Sequence, residues 1–181
     1  MNQLTQFKKI RILSFLIALL LVAAAAAVLV LPVQATPSVG VTTTILAGPI
    51  RFDEIDVVVR SLLPAEQGKK WKARIDTNEE SDVYVVQNDF ASGATTGWHT
   101  HSGPSLVAVT LGEITAYESD DPDCKPHVYH AGEGFVDHGG TSHVHMLVNA
   151  TSMPARTIAT QLLPAGAERR IDANAPGNCA P

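Results

Sequence analysis

Gly97-Trp98-His99-Thr100-His101 is the stretch on which the reading of this 181-residue chain turns. All seven histidines lie between His99 and His145, and none precedes them. On a β-strand, residues i and i+2 point to one face, with Cα atoms roughly 6.6–6.8 Å apart. The stretch therefore predicts a strand carrying His99 and His101 on one face and Trp98 on the other, where packing is its default role. Two imidazoles at that spacing can converge on one cation, at about 2.0–2.1 Å per bond if it is zinc. His-x-His is a short pattern, so its surroundings must decide whether it marks a metal site.

Outward from that stretch the chain is a series of short apolar runs rich in β-branched residues and separated by turn signals. They cover 41–46, 55–59, 71–75, 83–87, 105–111, 113–117, 134–137, 143–148 and 156–163. Trp71 to Ile75 alternates apolar and charged residues, as a half-buried strand does. Leu111-Gly112-Glu113 reads as a tight hairpin turn. Residues 36–40 read as a linker, and residues 61–70, with Pro64 and Gly68, as a loop or short helical turn. There is no long helical period after residue 35. Nine or ten short strands at close spacing predict an all-β sandwich or barrel.

The N-terminus has a different character. Lys8, Lys9 and Arg11 form a basic flank, no charge occurs from Ile12 to Leu31, and Val33-Gln34-Ala35 offers small residues to a signal peptidase. These are the parts of a secretory signal peptide over residues 1–35, with cleavage after Ala35. The alternative is an uncleaved anchor, since about 20 apolar residues can span a bilayer. Either way Thr36 onward is expected outside the cytoplasm, secreted or in the cell envelope, because the basic residues stay inside. Membrane contact is expected only if the segment is uncleaved. The net charge of −5 gives nucleic acid no footprint.

Export changes the meaning of the two cysteines. Outside the cytoplasm, Cys124 and Cys179 are expected to pair rather than remain thiols or metal ligands. The bridge would close a loop of about 55 residues, worth roughly 4 kcal/mol on the chain-entropy view, and would tie down a tail with little apolar content.

Two spaced motifs then stand out. Gly93 is followed by five residues, His99-Thr100-His101, three residues, Ser105, six residues and Gly112. Gly132 is followed by five residues, His138-Gly139-Gly140, four residues, His145, three residues and Asn149. In these motifs the chain resembles the cupin superfamily of small jelly-roll β-barrels. It departs from the pattern in three places: Ser105 stands where a glutamate is usual, His138 where a proline is usual, and the second turn is longer. The likeness covers roughly residues 80–165. It divides the chain into residues 36–78 (N-terminal strands and linker), 79–166 (cupin barrel core) and 167–181 (C-terminal tail tied by the disulfide). The style is also similar to small exported single-domain bacterial cupins of the type-2 kind.

The resemblance implies that His99, His101 and His145 bind a metal. His143 is either a fourth ligand in the space left by the missing glutamate or a polar lining residue. Ser105 is too weak a donor to replace a carboxylate. Three imidazoles suit iron, zinc, copper or nickel and argue against calcium and magnesium, which prefer oxygen. The imidazoles must be neutral to bind, so affinity is expected to fall as pH drops through about 6.5. His127 and His130 read as exposed loop residues. Glu133 and Asp137, bracketed by Gly132 and Gly134 or close to them, read as solvent-exposed turn residues. Asp137 and Glu133 would be acid–base groups only if they reached the cavity. Function stays open between a metal-dependent enzyme, an oxygenase or hydrolase/isomerase acting on a small molecule, and a non-catalytic ligand-binding envelope protein; one fold hosts both. A homodimer is left open as well.

Overall fold

The computed structural model describes residues 35–62, 70–140 and 142–179. The basic and apolar N-terminal segment and residues 63–69 lie outside them. The described residues form twelve strands and no helix. They are β1 (Val39–Phe52), β2 (Asp56–Leu62), β3 (Lys70–Asp76), β4 (Ser81–Thr95), β5 (His99–Thr100) and β6 (Ser105–Leu111), then β7 (Glu113–Glu118), β8 (His127–His130), β9 (Gly134–Asp137), β10 (His145–Val148), β11 (Ala155–Pro164) and β12 (Ile171–Asp172).

Ten of these strands make one antiparallel sheet that folds into two layers. One layer runs β1-β4-β11-β6-β9 and the other β8-β7-β10-β5-β12. They are continuous where Val148 of β10 pairs with Thr95 of β4. Among the described residues, β2 and β3 pair only with each other as a hairpin.

Alternation along the strands builds the interior. On β6, Ser105, Val107 and Val109 are buried between exposed Leu106 and Ala108; on β11, Ala155, Thr157, Ala159, Gln161 and Leu163 face inward. The period-2 pattern keeps one face of each strand against the core. Phe90, Val109, Ile114, Leu147 and Ala155, from both layers, pack into one apolar cluster. Moving along β6 from Val109 to Ser105, and along β11 from Ala155 to Gln161, the inward residues change from apolar to polar. The polar end is where the histidines gather.

Three turns decide that arrangement. Gly112 lies in the left-handed region at φ 68°, and a Cβ there would meet Pro154 O at 2.6 Å. The segment is not the expected hairpin. β6 pairs with β11 and β9, whereas β7 pairs with β10 and β8, so Gly112 is the corner where the chain changes layers. Asn149 closes the turn after β10. Its side chain is fully buried, donates to Ala91 O and Met153 O, and accepts from the Thr151 N–H and hydroxyl, so its polar groups are satisfied. Residues 36–38 are not a free linker: Thr36 N–H donates to Ala173 O, and the Thr36 hydroxyl accepts from Trp98 N–H at 2.6 Å.

Trp98 is buried on the face opposite His99. It packs with Met146 and Cys179, flanked by Tyr117, Cys124 and Val148. Cys124 and Cys179 form a disulfide with Cα atoms 5.3 Å apart, joining the loop after β7 to the C-terminal tail.

Candidate metal centre

β5 is only two residues long but lies between β10 and β12. His99 and His145 are direct register partners across that pair. Such partners have Cβ atoms about 4.5–5.5 Å apart, which brings two sequence-distant imidazoles together. Their ring centroids are 4.2 Å apart, and the His101 ring lies 5.0 Å from His99 and 5.3 Å from His145. All three are buried, and each offers a ring nitrogen within 4.8 Å of the others. His101 O accepts from Gly140 N–H at 2.7 Å, and the Thr100 hydroxyl donates to Gly140 O, so the second glycine-rich turn is stitched to the first histidine motif.

The backbone also fixes how two rings face. His99 Nδ1 lies 3.0 Å from Gly97 O, and His101 Nδ1 lies 2.5 Å from Arg169 O. A carbonyl oxygen only accepts, so each Nδ1 carries the hydrogen and each Nε2 keeps its lone pair. Outer hydrogen bonds of this kind orient metal-binding imidazoles. The amide nitrogen of Gln161, 3.2 Å from His101 Nδ1, cannot donate to a protonated nitrogen; it donates to the Ser105 hydroxyl at 3.3 Å.

Asp137, expected at a solvent-exposed turn and named only as a conditional acid–base group, closes the group. It ends β9 inside the barrel at 3% exposure, not in a solvent-exposed turn. Oδ1 accepts from Gly139 N–H at 3.0 Å and lies 3.5 Å from His145 Nδ1. Oδ2 lies 3.1 Å from His101 Nε2, yet it makes no hydrogen bond. His145 Nδ1 is likewise buried without a hydrogen-bond partner among the described residues. Glu133, by contrast, is exposed in the turn, accepting from His130 N–H.

The remaining histidines are placed as follows. His143 is buried just before β10 rather than on it, with Nδ1 3.4 Å from Asp120 Oδ2 and Nε2 4.0 Å from Asp137 Oδ1. It joins Asp137 and His145 in a second group that overlaps the first. His138 is exposed, its ring 5.4 Å from that of His143. His127 and His130 are exposed as expected, but on strand β8 rather than in a loop.

Burial decides the protonation of the centre. Desolvation pushes the His99 pKa well below its usual value, with neighbouring His145, Arg170 and His101 acting in the same direction. Desolvation also takes His145 down to about 4, against the pull of Asp137. Burial alone would raise Asp137, but a hydrogen bond from His101 whenever its Nε2 carries a proton, the neighbouring His145 and the Gly139 N–H lower the carboxyl below its usual value. His99 and His145 are therefore neutral imidazoles beside the Asp137 carboxyl.

A cavity of about 250 Å³ opens over these groups. Its walls include Val86, Val107 and Leu147 as well as Ser105, Gln161, Arg169 and Arg170. Arg170 is neutralised by Asp172 at 2.7 Å. Arg169 is half-buried, donates to Gln161 Oε1 at 3.3 Å and has no carboxylate partner among the described residues. Neither arginine lies in a motif, so their sequence positions gave no sign of the cavity.

The donor set fits a transition metal. Neutral imidazole nitrogens with unused lone pairs and a buried carboxylate oxygen without a partner are what such an ion would satisfy.

Two facing five-stranded antiparallel layers, continuous at Val148–Thr95 and with a histidine-lined polar end, define a jelly-roll-type β-barrel. No protein-family model matches the chain, and no curated protein does. Among solved structures it is similar to a cupin superfamily protein from Desulfitobacterium hafniense, with 12% identity over 68% of this chain and 77% of that one, at a TM-score of 0.43. It is also similar to the polyketide cyclase RemF from Streptomyces resistomycificus, with 13% identity over 81% and 84% of the two chains, at a TM-score of 0.49. An oxalate oxidase in complex with the substrate analogue glycolate is 28% identical over 44% of this chain and 41% of that one, at a TM-score of 0.39.

Proposed function

We propose that this is an exported metal-dependent protein whose barrel holds one divalent transition ion and admits a small anionic molecule beside it. The observation that carries the reading is the convergence of His99, His101 and His145, from two separated motifs, with two Nδ1 atoms tied to backbone carbonyls. When bound, such an ion supplies Lewis acidity toward a coordinated oxygen. The chain's own residues do the rest. His99 and His101 are held in one tautomer, the apolar wall limits water, and Arg169 offers its guanidinium to an anionic group. Planar guanidinium donors suit carboxylates in particular. The basic flank, the apolar N-terminal run and the Cys124–Cys179 bridge support export.

Metal analysis of protein purified from its native compartment tests this reading. About one equivalent of iron, zinc, copper or nickel is expected, and mass spectrometry should find Thr36 as the first residue. Titration of cobalt-substituted protein with small carboxylates should perturb the visible spectrum, and Arg169→Ala should weaken that response. A wild-type protein that takes up no transition metal ends the proposal.

A further inference from the structure

Ser105 and Asp137 are direct register partners on β6 and β9. Side chains of such a pair share a face, with Cβ atoms about 4.5–5.5 Å apart. Ser105 is buried at 1% exposure, and its hydroxyl accepts from Gln161. The position where the motif would carry a carboxylate is thus filled by a hydroxyl, and a buried carboxylate stands one strand away on the same face. Resting on the metal-binding reading above, we propose that Asp137 is the carboxylate ligand of the centre, so that the ion is held by three imidazoles and one aspartate carried on β9.

Three observations point to this role. First, His101 Nδ1 bears the hydrogen, so Nε2 and Asp137 Oδ2 are two acceptors 3.1 Å apart in a buried site. Two acceptors at that distance repel unless a cation, a proton or a metal, is shared between them. Second, the spacing suits a common ion. Donors about 2.1 Å from one metal, at angles of 90–110°, are about 3.0–3.4 Å apart. The 3.1 Å from Oδ2 to His101 Nε2 falls inside that range. Third, the carboxylate is already oriented. Gly139 N–H holds Oδ1, leaving Oδ2 toward the histidines. Gly139 sits at φ 66°, and a Cβ there would meet Gly103 O at 2.2 Å, so the anchoring turn is itself fixed.

This assignment gives His143 a different place. Its Nε2 is 4.0 Å from Asp137 Oδ1, and its Nδ1 reaches toward Asp120 on the outer side. His143 is a neighbour of the carboxylate, not the ligand that replaces the missing glutamate. The aspartate also reduces the charge of the buried centre. Three neutral imidazoles leave a divalent ion uncompensated, and one carboxylate halves that charge.

The test is metal affinity, measured by competition with a chromophoric chelator for cobalt(II) or zinc. The proteins are disulfide-intact wild type, Asp137→Asn, His143→Gln and the double variant Ser105→Glu/Asp137→Ser. Asp137→Asn is isosteric and is expected to weaken binding about 100-fold or more, beyond what loss of an outer partner usually does. His143→Gln should stay within about tenfold of wild type. The double variant returns the carboxylate to β6 and is expected to recover most of the lost affinity, which a carboxylate acting only as a prop for His101 would not allow. If Asp137→Asn fails to fold, the double variant decides alone: folded and tightly binding supports the assignment, folded and weakly binding overturns it. Wild type that binds metal while Asp137→Asn binds within about tenfold also overturns it and leaves the metal centre standing. Wild type that binds no metal removes both.

Discussion

Acid should destabilise the metal-free barrel in a window that histidines, not carboxylates, define. His99 and His145 have folded pKa values below the usual 6.5, that of His145 being about 4. Between those values the unfolded chain binds more protons than the folded one. Stability is therefore fully present above pH 6.5 and is lost as pH falls toward 4. For His145 the whole displacement corresponds to about 3 kcal/mol, at about 1.36 kcal/mol per tenfold. Between pH 7 and pH 5 the same linkage relation gives about 2 kcal/mol from His145 alone, and His99 acts in the same direction. The assay is urea unfolding of chelator-treated, disulfide-intact protein at pH 7 and pH 5, repeated on His145→Gln. Wild type should lose at least about 2 kcal/mol over this interval, and the variant should lose correspondingly less. Equal stability at the two pH values, or an equal loss in the variant, would refute the account of these imidazoles as buried and neutral. The same displacement lowers the pH at which metal is expelled. Proton competition at these two rings begins well below the 6.5 that ordinary histidines imply.

Other outcomes follow from single contacts. His101→Ala should abolish metal uptake while leaving the fold, since it deletes a ligand but no core apolar side chain; metal content by mass spectrometry checks it. Replacing both Cys124 and Cys179 with serine should destabilise the protein by up to about 4 kcal/mol, read as a lower melting temperature, and thiol titration of unreduced wild type should find no free thiol. Asn149→Ala removes the hydrogen bonds to Ala91 O, Met153 O and the Thr151 N–H and should cost about 1–3 kcal/mol in chemical unfolding. Gly112→Ala should destabilise the layer corner as well, because the new methyl would meet Pro154 O.

The parts of the molecule that could be read from the sequence are those whose signal is local. His99 and His101 are two residues apart, and strand alternation alone puts them on one face; Trp98 falls on the other for the same reason. A sandwich or barrel was legible from the number and spacing of short strands; the jelly roll itself came only with the resemblance carried by the paired glycine–histidine motifs. The hairpin at Gly112 was misread because a turn glycine looks the same in a hairpin and in a corner. Only the partners of its two flanking strands distinguish them, and those partners, β11 and β10, lie about 30 or more residues downstream. Asp137 was misplaced because nearby glycines suggested an exposed turn. The in-phase pair Phe135 and Asp137, with exposed Val136 between, was the available sign that it faced inward. Arg169 carried no local sign at all. It reaches the cavity because β12 returns beside β5, a pairing set by tertiary contact.

Strand β9 is four residues long and, among the described residues, pairs with β6 alone at the margin of its layer. His99 and His145 sit on strands flanked on both sides. Marginal strands fray at lower free energy than interior ones, so Asp137 rides on a more detachable piece of the barrel than the imidazoles it faces. Exchange of a bound ion would then follow the breathing of β9, at a rate set by hydrogen bonds to β6 and without unfolding of the whole domain.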